Sequence, residues 1–146
     1  MYYNLWNMGR TRLTNQLDSV EESDLLKRLH PDASSAGWLL RHIAEVELLF
    51  AKNVFDRKLN IKAQTIGPVG KDRGQFDELK LLLDLVKKAG EELGEAIKNV
   101  DNWEDEVTTA EFGTVLKTEA LGRITTHTAY HAGQLALTIK YGKKSE

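Results

Sequence analysis

Proline occurs only twice in 146 residues, at Pro31 and Pro68, each among turn-forming neighbours. A proline inside a helix removes a backbone donor and clashes with the preceding turn, so its scarcity leaves three long stretches free to be helical. Their apolar residues recur at helical intervals. The first helix is expected from about Tyr3 to Leu17, carrying Leu5, Trp6, Leu13 and Leu17, and a shorter amphipathic piece around Asp24 to Leu29 adds a turn or two. Ser34 and Ser35 then offer caps for the orphan amides of a second helix that ends near Asp56. Its stripe is Leu39, Ile43, Val46, Phe50 and Val54.

A third helix is expected from Phe76 to Val100, on the repeat Leu79, Leu82, Leu83, Val86, Leu93 and Ile97, closed by Asp101-Asn102-Trp103. Thr114 is the expected cap of a fourth, which runs through Lys140 to Gly142 in the left-handed position that favours glycine. With no internal repeat and no strand alternation, the expected fold is all-α, a four-helix bundle forming a single domain over residues 1–146. The connection from Asn60 to Gly74, roughly fifteen residues, is long for a bundle loop. It can run the length of the bundle, which lets helices two and three lie parallel in an up-down-down-up path.

Charge and composition remove several functions. With 20 Lys and Arg against 22 Asp and Glu, the net charge of −2 gives no broad basic face for a phosphate backbone, so no nucleic-acid partner is expected. The absence of cysteine excludes disulfides, thiolate ligands and a cysteine nucleophile, so any metal must be held by nitrogen and oxygen. The start, Met1-Tyr2-Tyr3-Asn4-Leu5-Trp6, lacks the charged and apolar regions of a signal peptide, and no apolar run reaches membrane length. A cytoplasmic protein without a membrane partner is expected.

The four histidines carry the chemistry. His127 and His131 lie on the inward stripe Leu116, Ala120, Ile124, His127, His131, Leu135 and Thr138, one turn apart, and His42 lies on the inward face of the second helix. Burying an imidazole without partners for its nitrogens costs a few kcal/mol, and a single divalent cation satisfies three of them together. If helices two and four are antiparallel the rings come level. Zinc, nickel, iron, cobalt and manganese all remain open as the metal. Three protein ligands leave a position for water or a small-molecule substrate, as in a catalytic site.

Other histidine chemistries do not fit. Thr128 stands where a zinc-peptidase helix has its glutamate, and Leu39 and Ile124 stand where a di-iron bundle has Glu three residues before His. His30 reads as a surface-turn residue. Glu45 and Glu47 flank His42 as candidates to orient a ligand or act as a base, against the plainer reading of a solvated helix edge. Gln134 is a candidate donor to a ligand or substrate, or an interhelical hydrogen bond. Trp38 and Trp6 are expected in the core or a cavity wall, with Trp38 and Gln134 the candidates for contacting a cofactor. The end, Lys140 to Lys144, reads as a solvated tail.

Two blocks, Gly37-Trp38-Leu39-Leu40-Arg41-His42-Ile43-Ala44-Glu45-Val46-Glu47 and His127-Thr128-Ala129-Tyr130-His131-Ala132-Gly133-Gln134-Leu135, give the chain a resemblance to the DinB/YfiT-like metalloenzymes. The resemblance implies an up-down-down-up bundle, frequently a homodimer, with nickel or zinc on three histidines, here His42, His127 and His131. It also implies a thiol S-transferase or isomerase using a low-molecular-weight thiol such as bacillithiol, mycothiol or glutathione. The mycothiol-dependent isomerases carry an extra C-terminal domain that these 146 residues do not include, so that activity is not expected. The resulting expectation is a metal-dependent transferase or hydrolase acting on a small electrophile through a thiol or water. The alternative is a non-catalytic bundle that binds a metal or small ligand.

Overall fold

The computed structural model describes residues 1–144, so the last two residues of the expected 1–146 domain lie outside the described residues. Four helices dominate: α1 (Tyr2–Leu17), α2 (Ala36–Asn53), α3 (Leu79–Lys98) and α4 (Lys117–Tyr141). The chain is a four-helix bundle in which α2 packs on α3 and α4 while α1 packs on α4 and α3. Gly9 meets Thr125 and Gln16 meets the Ala132 carbonyl, so α1 and α4 run in the same sense. Tyr3 and Trp6 meet Gly94, whereas Arg10 reaches the Val86 carbonyl, so α1 and α3 run in opposite senses. Among the described residues no helix is long and apolar enough to cross a membrane.

Local chemistry explains where the elements begin and end. Ser35 caps α2 by accepting from the Trp38 amide at 3.2 Å, and all five residues of the expected stripe are buried. α3 starts at Leu79 rather than Phe76, because Phe76 is itself drawn into the core at 7% exposure and the backbone remains extended through Glu78. In place of the amphipathic helix expected near Asp24, a 3₁₀ turn over Glu22–Asp24 leads into the two-residue strand β1 (Lys27–Arg28).

The expectation of no strands is also corrected. β2 (Glu106–Thr109) and β3 (Gly113–Leu116) form an antiparallel hairpin just before α4. Thr114 is therefore not a cap: it pairs across the hairpin with Thr108, their hydroxyls 2.7 Å apart, and Leu116 occupies the N-cap position of α4. Lys143–Lys144, exposed as expected of a tail, form β4 against β1. Gly142 is extended, at φ −71°, not left-handed. Glycine fits there for another reason: a Cβ would collide with the Thr138 carbonyl and crowd that of Arg28.

One ion pair ties three helices together. Arg10 of α1 donates through Nε to Glu47 of α2 at 3.0 Å and through Nη2 to the Val86 carbonyl of α3 at 2.7 Å. Gly90 makes room for it, since a Cβ there would lie 2.5 Å from the guanidinium carbon. Burial pushes the Glu47 carboxyl up while Arg10 works against that shift, so the pair's attraction is set against a large desolvation cost. Trp6 packs beside it at 2% exposure, a core residue as expected.

Removing one partner strands a buried charge. Arg10→Ala is expected to lower the unfolding free energy by about 3–5 kcal/mol, measured by urea denaturation, whereas Arg10→Met combined with Glu47→Leu recovers most of that loss. A double variant no more stable than the single would contradict this account.

Candidate metal centre

α2 presents His42 and α4 presents His127 and His131, and one ring nitrogen from each lies within 4.8 Å of the others. The Nε2 atoms of His42 and His127 are 3.2 Å apart, and His131 lies edge-on to both rings. Three residues separated by up to eighty-odd positions thus converge on a volume the size of one ion, with geometry compatible with metal binding. His30 lies apart, exposed in its turn, with Nδ1 accepting from the Asp32 amide.

The hydrogen bonds assign the protons. Thr65 Oγ1 donates to Glu45 Oε1 at 2.5 Å, so it accepts from His42 Nδ1 at 3.1 Å and leaves a lone pair on His42 Nε2. His131 Nδ1 donates to Gln134 Oε1 at 2.6 Å, leaving a lone pair on its Nε2 as well. His127 Nε2 then donates to His42 Nε2, and His127 Nδ1 is buried with no hydrogen-bond partner. Such an orphan is unusual in a folded core.

The same burial favours the neutral form of His42 and His127. Desolvation, followed by the proximity of His131, pushes His42 down to about 4, with Glu45 and Thr65 pulling back only weakly. Desolvation and the other two histidines push His127 down to about 3. Neutral imidazole is the form that ligates.

Both glutamates are buried, against the reading of a solvated helix edge. Glu45, at 1% exposure, takes the guanidinium of Arg41, the amides of Gln64 and Thr65 and the Thr65 hydroxyl. It therefore acts on His42 through Thr65. Glu47 has both oxygens on Arg10 and lines neither cavity beside the histidines, so the structure does not bring it to the centre. Gln134 meets His131 of its own helix, neither another helix nor a cavity. Trp38 stacks on His42, with centroids 4.6 Å apart and planes 16° apart, and its indole donates to the Gly70 carbonyl at 2.8 Å.

Sequence reasoning missed two contributors. Thr65, from the long connection, reaches His42, and the β2–β3 hairpin closes the approach with Glu111 and Phe112. The hairpin had a signal in the β-branched residues Val107, Thr108 and Thr109 before Gly113 and Thr114 and Val115 after it, with Gly113 at φ 75°. A cavity of about 610 Å³ opens on His42 and His127, and another of about 570 Å³ on His127. The roomier groove of about 840 Å³ between α1 and α3 is lined by none of the histidines.

The depressed pKa values set a pH window. Unfolded imidazoles titrate near 6.5, whereas the folded ones resist protons until about 4 and about 3. Below pH 6.5 the unfolded chain binds more protons, so stability of the metal-free protein falls as pH drops through this window, by at most about 1.4 kcal/mol per pH unit for each ring. His42→Gln with His127→Gln is expected to flatten the urea-midpoint profile between these limits; an unchanged slope would show that the two rings are already charged.

The family model described as the DinB superfamily matches residues 5–135. No curated protein and no solved structure matches the chain.

Proposed function

The chain belongs to the DinB superfamily, and from that premise we propose that it is a metal-dependent enzyme whose His42, His127 and His131 hold one nickel or zinc ion. The observation that carries this reading is the convergence of three ring nitrogens within 4.8 Å. Its proposed reaction is transfer of a low-molecular-weight thiol to a small electrophile, with hydrolysis by water as the other chemistry the same centre supports. When bound, a divalent ion supplies Lewis acidity that makes a thiol or water at its open position easier to deprotonate.

The chain's own residues prepare that position. Thr65 and Gln134 hold protons on the Nδ1 atoms of His42 and His131, directing both Nε2 lone pairs inward. His127 must move its proton from Nε2 to Nδ1 to join them. Glu45 serves as the orienting carboxylate for Thr65 and Trp38 as the wall behind His42. With no cysteine in the chain, the thiol is a co-substrate. The resemblance extends the proposal to a cytoplasmic homodimer.

Protein purified without an affinity tag is expected to contain about one divalent ion per chain by elemental analysis, lost in His131→Ala, and to conjugate glutathione or bacillithiol to a chloronitrobenzene. Metal without turnover over a broad electrophile panel would favour a binding module, and absence of stoichiometric metal would overturn the reading. Thr65→Val is expected to weaken zinc binding about 10- to 100-fold in competition with a chromophoric chelator, with Thr65→Ser restoring it. Equal affinity in both variants would remove Thr65 from the centre.

A further inference from the structure

The cavity that opens on His42 and His127 follows one face of α2. Its wall on that helix is His42, Val46, Leu49, Phe50, Asn53 and Val54, which recur at steps of three and four residues. At the helical rise per residue the wall from His42 to Val54 is about 18 Å long. Residues 65–67 of the long connection and residues 109–112 of the hairpin loop flank it. A volume of about 610 Å³ drawn out along that wall is a channel rather than a bowl.

The middle of the channel is apolar. Val46, Leu49 and Phe50 succeed one another along the wall, and the rings of Phe50 and Phe112 meet with centroids 5.9 Å apart, so they form one continuous surface with no slot between them. Polar groups stand at its ends. At one end are the two imidazoles and Thr65, whose hydroxyl is already engaged by Glu45 and His42. At the other is Asn53, exposed in the last turn of α2. Besides the histidines, Glu111 is the one ionisable group in the lining, and it is exposed on the hairpin loop. A sugar or a nucleotide would find few polar partners along such a wall, whereas each methylene laid against it leaves water.

We propose that the substrate of the histidine centre is a linear aliphatic molecule, uncharged along its length. Its reacting end lies at His42 and His127, and its chain runs along Val46, Leu49 and Phe50 toward Val54. This rests on the reading of the histidine centre as the reactive site. It requires no particular charge on the imidazoles, because an ion held by the three histidines occupies the end of the channel and leaves its apolar length open.

Primary alcohols from 1-butanol to 1-decanol can be titrated into the full chain by NMR, with and without zinc. Affinity is expected to rise about two- to fourfold per added methylene across the series in both forms, with shifts centred on Val46, Leu49 and Val54 and with 1-hexanol binding more tightly than cyclohexanol. Leu49→Glu, at a half-buried position, is expected to weaken 1-decanol about tenfold. Asn53→Leu, at an exposed one, is expected to strengthen 1-decanol while leaving 1-butanol unchanged. A series that levels off by 1-hexanol, cyclohexanol binding as tightly as 1-hexanol, shifts confined to the α1–α3 groove, or 1-decanol affinity unchanged in both variants would each overturn the proposal. Zinc uptake with an alcohol series indifferent to length would overturn the channel and leave the metal reading standing. Failure of zinc uptake with the length dependence intact would overturn the metal reading and support the channel.

Discussion

Three imidazoles brought into one partly buried volume impose a demand that the rest of the fold answers. Each ring has two nitrogens that need partners once water is withdrawn, and four helices packed by apolar stripes supply few polar groups of their own. The long connection after α2 returns to the bundle and delivers Thr65 to His42. Gln134, one turn along α4, serves His131. What remains is a set of inward nitrogens and one orphan, His127 Nδ1. The protein has satisfied the outward side of two rings, and on the shared side the Nε2 atoms of His42 and His127 meet each other at 3.2 Å, where a cation would take the place of that contact.

Glu45 and Glu47 show how helix geometry separates neighbouring charges into different tasks. Two residues apart on a helix is about 200° of rotation, so one carboxylate faces the connection and the other faces α1 and α3. Glu45 gathers amides at Gln64 and Thr65 and fixes the segment that reaches His42. Glu47 meets Arg10 and holds the opposite side of the bundle. The desolvation cost of two carboxylates on one short stretch is offset by entirely different partners. Neither carboxylate is left free to move protons in the cavity.

Helical periodicity made the bundle and the ligand faces legible. His127 and His131 fall on the α4 stripe between Ile124 and Leu135, and a period of 3.6 leaves their direction little freedom. The ends of elements were less legible, because they are decided by contacts distant in sequence. Thr114 has the chemistry of a cap yet pairs with Thr108, and Gly142 is required by carbonyls of Thr138 and Arg28 rather than by its own dihedral angles. The fate of Glu47 depended on Arg10, thirty-seven residues away. Thr65 had no periodic signal at all, since its role exists only once the connection has folded back.

The division of labour between helices and loops has a chemical consequence. The ring nitrogens are carried by α2 and α4, whose packing is fixed by buried apolar residues, whereas Glu111 and Phe112 are carried by a short hairpin joined to α4. Substitution of Glu111, exposed in the hairpin loop, changes the charge of the approach, whereas Val107, Phe112 and Val115 pack against the core cluster and tie the hairpin to the stripes. Substitution in the stripes changes both stability and the imidazole cluster. A bundle built this way can keep one centre while its selectivity is set by a few residues beside it. The side chains that shape the approach to the imidazoles therefore come in part from the hairpin, at Glu111 and Phe112, and not from the helix stripes alone.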